Sequence, residues 1–312
     1  MTQKFSERKE SLAMKKHPSD DGSACVPNFL RKLGQDMRII FLIAACMSIL
    51  AVALICVFLF ANGIPTMIKI GIPEFLLGTT WKPSNDIYGI LPFILGSIYV
   101  TAGSIVIGVP IAMLTAIFLA FYCPKRIYTP LKSMINLLAG IPSVVYGFFG
   151  MVWIVPTMKS IIGSSGSTML TACILLGIMI LPTVIGVMEP ALRSVPESYY
   201  EGSLALGATH ERSVFCIILP AAKSGVVAGI VLGIGRSIGE TMAVIMVAGN
   251  QTWMPKGLLK GVRTMTANIV IEMGYASGLH RQALIATGVV LFVFILIINL
   301  SVSLLKRRSE HE

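Results

Sequence analysis

Six long apolar runs limit what this chain can fold into. A bilayer-crossing helix needs about 20 predominantly apolar residues, and runs close to or above this length cover residues 39–61, 89–122, 135–158, 169–188, 221–249 and 283–305. Only 13% of the 312 residues are charged and 55% are hydrophobic, whereas soluble domains are about 25% charged. The sequence therefore predicts an all-α polytopic membrane protein.

The run 89–122 decides the topology, because it is long for one span and short for two. With one crossing, the chain has six transmembrane helices and both termini lie in the cytoplasm. This arrangement places 17 of the 25 lysines and arginines inside and 7 outside, as the positive-inside rule requires. Two crossings would put the basic loop 191–224 outside. We therefore predict six spans, with the extra length of this run taken up by tilt, an extension beyond the bilayer or a kink near Gly108–Pro110.

Charged segments lie at both ends of the chain. Residues 1–37 are polar and basic, so we expect a mobile cytoplasmic arm, followed by a transmembrane domain over 38–305 and a cytoplasmic tail over 306–312. The formal net charge of +10 is spread along the edges of the apolar runs rather than collected in one patch. This distribution indicates contact with membrane lipid and argues against nucleic-acid binding.

The loop between the fourth and fifth spans is too regular for a simple connector. Ser194 followed three residues later by Glu197 fits a capping box, which predicts a helix start. Gly207 fits a helix stop, and Thr209 fits the N-cap of a second helix. We therefore expect a hairpin of two helices over residues 194–220, at the inner face of the membrane.

Five positions of this hairpin match the pattern E-x5-G-x9-I-x-L-P, namely Glu201, Gly207, Ile217, Leu219 and Pro220. The pattern resembles the EAA loop of ABC-importer permeases, although Gly202 and Ser203 stand where alanines usually follow the glutamate. The resemblance implies a coupling helix that docks on an ATP-binding subunit. The alternative is an amphipathic hairpin that only rests on lipid.

A phosphate-cradling P-loop is missing from the sequence. Such a loop needs G-x4-G-K-[ST], and the nearest run, "GSSGSTM" from Gly163, lacks the lysine. ATP and its magnesium ion therefore have to be bound by a separate ATPase, and we expect no cofactor in this chain. The four histidines are scattered over tails and loops, so an enzyme is not indicated.

The fifth apolar run carries two charged residues, Arg236 and Glu240, within "GVVAGIVLGIGRSIGETMAV". On one continuous helix they share a face with Gly225, Gly229 and Gly233. Small residues four apart let another helix approach closely, and a charge in mid-membrane usually faces a bundle interior or a wet cavity. The functional interpretation is a substrate pathway. The alternative is an ion pair that only fixes packing, which is a costly device.

Four segments together resemble one transporter family. They are "GIGRSIGETMAV" with the following "AGN", "GIPSVVYGFFG", "WKPSNDIYGILPFILGS" and "RTMTANIVIEMGYASG". All are similar to the C-type permease (PstC) of the phosphate-specific ABC importer, and the match covers residues 38–305. The resemblance implies the type I ABC importer permease fold in the bacterial inner (plasma) membrane.

The resemblance also implies partners and a substrate. The partners are a PstA-type sister permease, a dimer of PstB-type ATPase subunits and a PstS-type periplasmic binding protein, and the substrate is inorganic phosphate. Family resemblance marks Arg236 and Glu240 as important for transport. We expect Arg236 to offer the passing anion a charge-assisted hydrogen-bond partner, and Glu240 to keep the empty pathway near neutral. A second expected use of Glu240 is to accept a hydrogen bond from the proton that phosphate retains and sulfate lacks, the alternative being that the binding protein does all the selecting. The alternatives are a permease for another oxyanion and a scaffold that mainly signals phosphate status.

Two further segments carry weaker expectations. Pro142 and Tyr146 lie where the third span begins, in a stretch that mixes glycine, proline and aromatic residues. They indicate either a gate at the edge of the pathway or an ordinary span entrance. Residues 264–278 include Asn268 and Glu272 among apolar residues, which predicts a short outer helix that contacts the binding protein or seals the path.

Overall fold

A computed structural model describes the backbone of residues 28–163 and 165–309, and the side chains of residues 37–163 and 165–301. By its internal contacts the chain divides into two units, Met1–Val57 and Phe58–Glu312. The described part of the first unit is the beginning of one helix, α1 (Asn28–Ile70). Most of the predicted arm, residues 1–27, lies outside the described residues. Its last ten residues belong to α1, which therefore begins before the predicted start of the first span.

The second unit is built mostly from helices, with longer connections at residues 78–90 and 248–264. After α1 the helices are α2 Ile72–Leu77, α3 Leu91–Tyr122, α4 Lys125–Gly140, α5 Ser143–Ile162, α6 Met169–Arg193, α7 Glu197–Ala205, α8 His210–Ala221, α9 Lys223–Gly239, α10 Met242–Val247, α11 Met265–Met273 and α12 Gly278–Ser309. Two short antiparallel strands, β1 (Trp81–Lys82) and β2 (Ile87–Tyr88), lie between α2 and α3 and pair Trp81 with Tyr88.

Five of the described helices are long and apolar enough to cross a membrane. They are α1 from Met37, α3, α5, α6 and α12 as far as Ser301. A sixth candidate is the pair α8 and α9, which passes the same test with a bend of 72° between the two helices. The run 89–122 contains one helix, α3, of 32 residues, so the prediction of a single crossing is confirmed.

Two predicted spans are interrupted. The run 135–158 contains a break, because α4 ends at Gly140 and α5 begins at Ser143. Proline lacks a backbone N–H and disfavours helical backbone in the residue before it, and Ile141 is accordingly extended with ψ 126°. The run 221–249 breaks after Gly239, and α10 begins at Met242.

The centre of the second unit is α6, which is the most buried of the candidate spans. The helix α3 approaches it where glycine faces glycine, and a Cβ added to Gly108 would lie 2.6 Å from the carbonyl oxygen of Gly177. The glycines of α9 also face α6: a Cβ at Gly229 would lie 2.9 Å from Cγ of Met188, and one at Gly233 the same distance from Val184. The predicted close approach along the glycine face is confirmed.

Candidate functional site

Arg236 lies in the last turn of α9, directly before two residues that pack inside the helix bundle. Its neighbours Ser237 and Ile238 are buried, whereas Arg236 itself is half-buried. The Nε atom is buried and has no hydrogen-bond partner within the described residues. A buried donor without a partner costs free energy, so this guanidinium is an incompletely satisfied polar group.

Glu240 does not continue the helix that carries Arg236. Its backbone is extended, with φ −71° and ψ 127°, and Thr241 separates it from α10. The Oε1 atom accepts hydrogen bonds from the backbone N–H groups of Thr241 and Ala243, both at 3.2 Å. A carboxylate in this position satisfies free N–H groups and interacts favourably with the helix dipole. The prediction that Arg236 and Glu240 share one face of a continuous helix is therefore wrong.

The alternative that Arg236 and Glu240 simply pair with each other finds no support. Among the described residues, the ion pairs within 4.0 Å involve Glu189 and Glu272 as acids. The break after Gly239 redirects the chain between the two residues and leaves both half-buried. The Arg236 guanidinium and the Glu240 carboxylate thus lie on either side of a helix break without pairing, and both are available to bind a ligand.

Hydroxyl groups hold the segment around this break. The Oγ atoms of Ser104 in α3 and Ser237 in α9 lie 2.7 Å apart. Ser104 donates its one proton to the carbonyl of Thr101 at 2.8 Å, so Ser237 is the donor in the contact between the two serines. On the other side of the break, Thr266 Oγ1 donates to the carbonyl of Glu240 at 3.3 Å. The backbone on both sides of the break is therefore anchored to neighbouring elements.

The residues expected at a gate lie at the second break, between α4 and α5. Pro142 is exposed at the N-terminus of α5, and Tyr146 is buried one turn later. The hydroxyl of Tyr146 donates to the carbonyl of Leu138 at 2.8 Å, which ties α5 to the end of α4. A Cβ added to Gly147 would lie 3.0 Å from Cα of Ala243, so α5 packs directly against α10.

The hairpin forms much as the sequence predicts. Gly207 takes the left-handed backbone, with φ 84°, and the side chain of Thr209 caps α8 by accepting from the N–H of Arg212. The two arms are tied together by the Ser203 hydroxyl, which donates to Ser213 at 2.7 Å. The prediction of a capping box at Ser194 is wrong. The Oγ atom of Ser194 donates to a carbonyl of the preceding turn, and α7 begins at Glu197 with Pro196 as its N-cap.

The five motif residues of the hairpin lie mostly on its surface. Leu219 is half-buried, and the other four are exposed: Glu201, Gly207, Ile217 and Pro220. At the tip, Leu206 is 91% exposed. An apolar residue at the tip of a hydrogen-bonded turn is suited to insertion into a groove on a partner, because it gains burial without refolding the turn.

Two buried glutamates organise charge clusters that the sequence patterns did not reveal. Glu189 in α6 is bound by groups from α4 and α6, and the pKa of one of these, Tyr128, is raised by its hydrogen bond to the carboxylate and by burial. Glu272 in α11 is bound by Arg263 at 2.6 Å and by Trp81 at 2.8 Å. The short helix predicted around Glu272 is confirmed. The available signal was a lone acidic residue in an apolar helix, which requires a buried partner.

Known proteins resemble the chain over most of its length. A model of the family of binding-protein-dependent transport system inner membrane components matches residues 108–311. The probable ABC transporter permease protein YqgH of Bacillus subtilis (strain 168) is 37% identical over an alignment of 273 residues that covers 84% of this chain and 88% of that protein. The phosphate transport system permease protein PstC of Pasteurella multocida (strain Pm70) is 33% identical over an alignment of 260 residues that covers 77% of this chain and 81% of that protein.

Similarity also extends to an archaeal protein and to solved structures. The probable phosphate transport system permease protein PstC of Methanocaldococcus jannaschii is 31% identical over an alignment of 310 residues that covers 92% of this chain and 98% of that protein. A chain of a bacterial ABC transporter involved in the import of the acidic polysaccharide alginate aligns with a TM-score of 0.59 at 17% identity, covering 89% and 99% of the two chains. An inward-facing MetNI methionine ABC transporter chain aligns with a TM-score of 0.56 at 20% identity, covering 74% and 99%. The predicted fold class is confirmed.

Proposed function

Because the chain belongs to the family of binding-protein-dependent transport inner membrane components, among its PstC-type members, we propose that it is a permease subunit of an ATP-driven importer of inorganic phosphate. It is a multi-pass protein of the bacterial inner membrane and forms half of the translocation pathway. It is not an enzyme, since ATP hydrolysis belongs to a separate subunit. Its partners are a PstA-type sister permease, a PstB-type ATPase dimer that holds ATP and magnesium, and a PstS-type periplasmic binding protein.

The observation that carries this proposal is the state of Arg236. A guanidinium in an apolar helix, with a buried Nε that has no partner within the described residues, is an incomplete polar site. Phosphate supplies several acceptor oxygens, and the planar guanidinium fork matches an oxyanion better than a lysine ammonium does. A passing phosphate therefore completes the hydrogen bonding that the chain itself leaves open.

Glu240 contributes to selection in this proposal. Its Oε1 is occupied by two backbone N–H groups, and Oε2 makes no hydrogen bond within the described residues. Phosphate near neutral pH keeps at least one proton that it can donate to Oε2, whereas sulfate has none to donate. An acceptor left facing a deprotonated oxyanion is repulsive, so Glu240 disfavours sulfate.

The hairpin couples this pathway to the ATPase. Its exposed residues Glu201, Gly207, Ile217 and Pro220, with the half-buried Leu219, form the docking surface, and the hydrogen bond between Ser203 and Ser213 makes the two arms move as one lever. Pro142 and Tyr146 form the gate. They lie at the break between α4 and α5, and the neighbouring helix α10 is capped by Glu240, which places this break next to the pathway.

Purification and transport together test the function. The tagged chain, expressed from its own host with its neighbours and extracted in mild detergent, is expected to bring with it an ATPase and a second six-span chain. In proteoliposomes loaded with ATP, this complex and the binding protein are expected to accumulate radiolabelled phosphate, with excess unlabelled phosphate competing and sulfate not. Equal competition by sulfate would favour a general oxyanion permease. Co-purification without any ATP-dependent uptake would favour a signalling scaffold and contradict the proposal.

A further inference from the structure

Glu189 is a buried carboxylate held by three donors. It lies in α6, one turn before the helix ends, and its side chain is 3% exposed. Oε1 accepts from the hydroxyl of Tyr128 at 2.8 Å and from Nε of Arg193 at 2.5 Å, and Oε2 accepts from Nζ of Lys132 at 2.7 Å. Removing a carboxylate from water is costly unless such partners are present. We call these four residues the Glu189 cluster. The hydrogen bonds among them therefore form or break together.

The Glu189 cluster joins three helices. Tyr128 and Lys132 stand one turn apart on α4, and Glu189 and Arg193 stand one turn apart on α6. Arg193 also donates from Nη2 to the carbonyl of Leu119 in α3 at 2.7 Å, and its guanidinium lies 4.7 Å from the centre of the Tyr128 ring. Hydrogen bonds are directional, whereas apolar packing is not. The cluster thus holds α3, α4 and α6 in one register.

One side of the cluster borders the hairpin. Arg193 is the last residue of α6, and α7 begins at Glu197, only four residues further along. A cavity of about 430 Å³ lies at this junction, lined among others by Arg193, Tyr200 of α7 and His210 of α8. Because only a few residues connect α6 to the hairpin, any movement of the hairpin acts first on the end of α6.

The other side of the cluster leads to the break before α5. The helix α4 carries the cluster at Lys132 and, two turns later, accepts the hydrogen bond from Tyr146 at the carbonyl of Leu138. Gly147, the next residue, packs against Ala243 of α10, and the N–H of Ala243 binds Glu240. A chain of direct contacts therefore runs from the root of the hairpin to Glu240.

We propose that Glu189 is a positioning residue through which movement of the hairpin is passed to α4, and from α4 to the break at Gly140–Pro142. This inference rests on the proposed function, because it requires an ATPase that moves the hairpin. Apolar contacts alone would let α4 slide over α6 during such a movement, whereas the charged cluster makes the two helices move together. Contiguous hydrogen-bonded networks of this kind are able to carry energetic coupling between distant sites.

The test uses the complete transporter in proteoliposomes and measures two activities in the same vesicles. One is ATP hydrolysis stimulated by phosphate-loaded binding protein, and the other is phosphate uptake. The variant Lys132→Met removes one donor and its charge, and Lys132→Arg restores both. The matched control is Lys125→Met, because Lys125 is on the same helix, is exposed and has no ion pair among the described residues. Glu189→Gln serves as a second disruption that keeps the size of the side chain.

The ratio of phosphate imported to ATP hydrolysed reports coupling and does not depend on how much complex assembles. We expect this ratio to fall by about 2- to 30-fold in Lys132→Met and in Glu189→Gln, which corresponds to the usual size of coupling changes. Lys132→Arg is expected to recover most of it, and Lys125→Met to match the parent. An unchanged ratio in both disrupting variants, whether total activity falls or not, would overturn the inference. Failure of the proposed function is recognised separately, since the parent complex would then import no phosphate.

Discussion

The carboxylate of Glu240 accepts a hydrogen bond from the backbone N–H of Ala243 at 3.2 Å, and so caps the helix α10 that follows it. One side chain therefore has two tasks in our account. It starts a helix through Oε1 and faces the substrate through Oε2. These tasks are separable, because glutamine keeps the accepting oxygen and loses the charge.

Substitutions at Glu240 are expected to separate the cap from the charge. Glu240→Gln should leave the thermal unfolding midpoint of the complex close to that of the parent, because Oε1 still accepts from α10. Glu240→Ala should lower stability by about 0.5–2 kcal/mol through loss of the cap. In uptake assays, Glu240→Gln should increase inhibition by sulfate by about tenfold, since the amide offers sulfate a donor. Unchanged uptake and unchanged discrimination in this variant would remove Glu240 from the mechanism.

The glycines of α9 are expected to differ sharply in their tolerance of alanine. A Cβ at Gly225 would overlap the Cβ of Ala191 on α6, whereas a Cβ at Gly235 meets nothing within 4 Å. Gly225→Ala should destabilise the complex by about 1–3 kcal/mol through overpacking. Gly235→Ala should stabilise it by up to about 1 kcal/mol, because alanine is the better helix former. Unfolding of the detergent-purified complex, followed by circular dichroism, measures both, and equal effects would contradict the packing of α9 on α6.

The hairpin turn is expected to depend on Gly207. Its φ of 84° lies in the left-handed region, where an L-residue with a Cβ costs about 1–2 kcal/mol. Gly207→Ala should therefore lower the amount of ATPase that remains bound during purification. Gly202→Ala is the matched control, because Gly202 lies within helix α7 with open space around its Cα. If both variants retain the ATPase equally, the turn geometry does not determine docking.

Features encoded by local spacing were predictable from the sequence. The glycines four residues apart on α9, the turn at Gly207 and the cap at Thr209 each depend on residues within a few positions of one another. The single crossing by α3 followed from run length and the distribution of charge. The first three features are contained in short segments, and the charge distribution is read along the whole chain, so all of these patterns are visible without the fold.

The break at Glu240 was not predictable in this way. Gly239 precedes it and Thr241 follows it, but the segments beyond them are largely apolar and compatible with one helix, and no proline marks the position. The hydrogen bond from Thr266, 26 residues away, helps to hold the extended backbone there. The charge clusters are equally non-local, since Glu189 and Lys132 are separated by 57 residues and Trp81 and Glu272 by 191. When two residues are this far apart in the sequence, only the packing of the helices determines whether their side chains meet.

The most direct measurement of the central claim is phosphate uptake by Arg236 variants in the reconstituted transporter. A charge-assisted hydrogen bond contributes about 1.5–3 kcal/mol, so Arg236→Met should lower uptake at sub-saturating phosphate by about 10- to 150-fold. Arg236→Lys should restore only part of it, because lysine lacks the planar fork. The control Arg126→Met replaces an exposed arginine outside the spans and should match the parent. Uptake by Arg236→Met at the parental rate, with equal amounts of complex in the vesicles, would contradict the claim that this guanidinium lines the route of the anion.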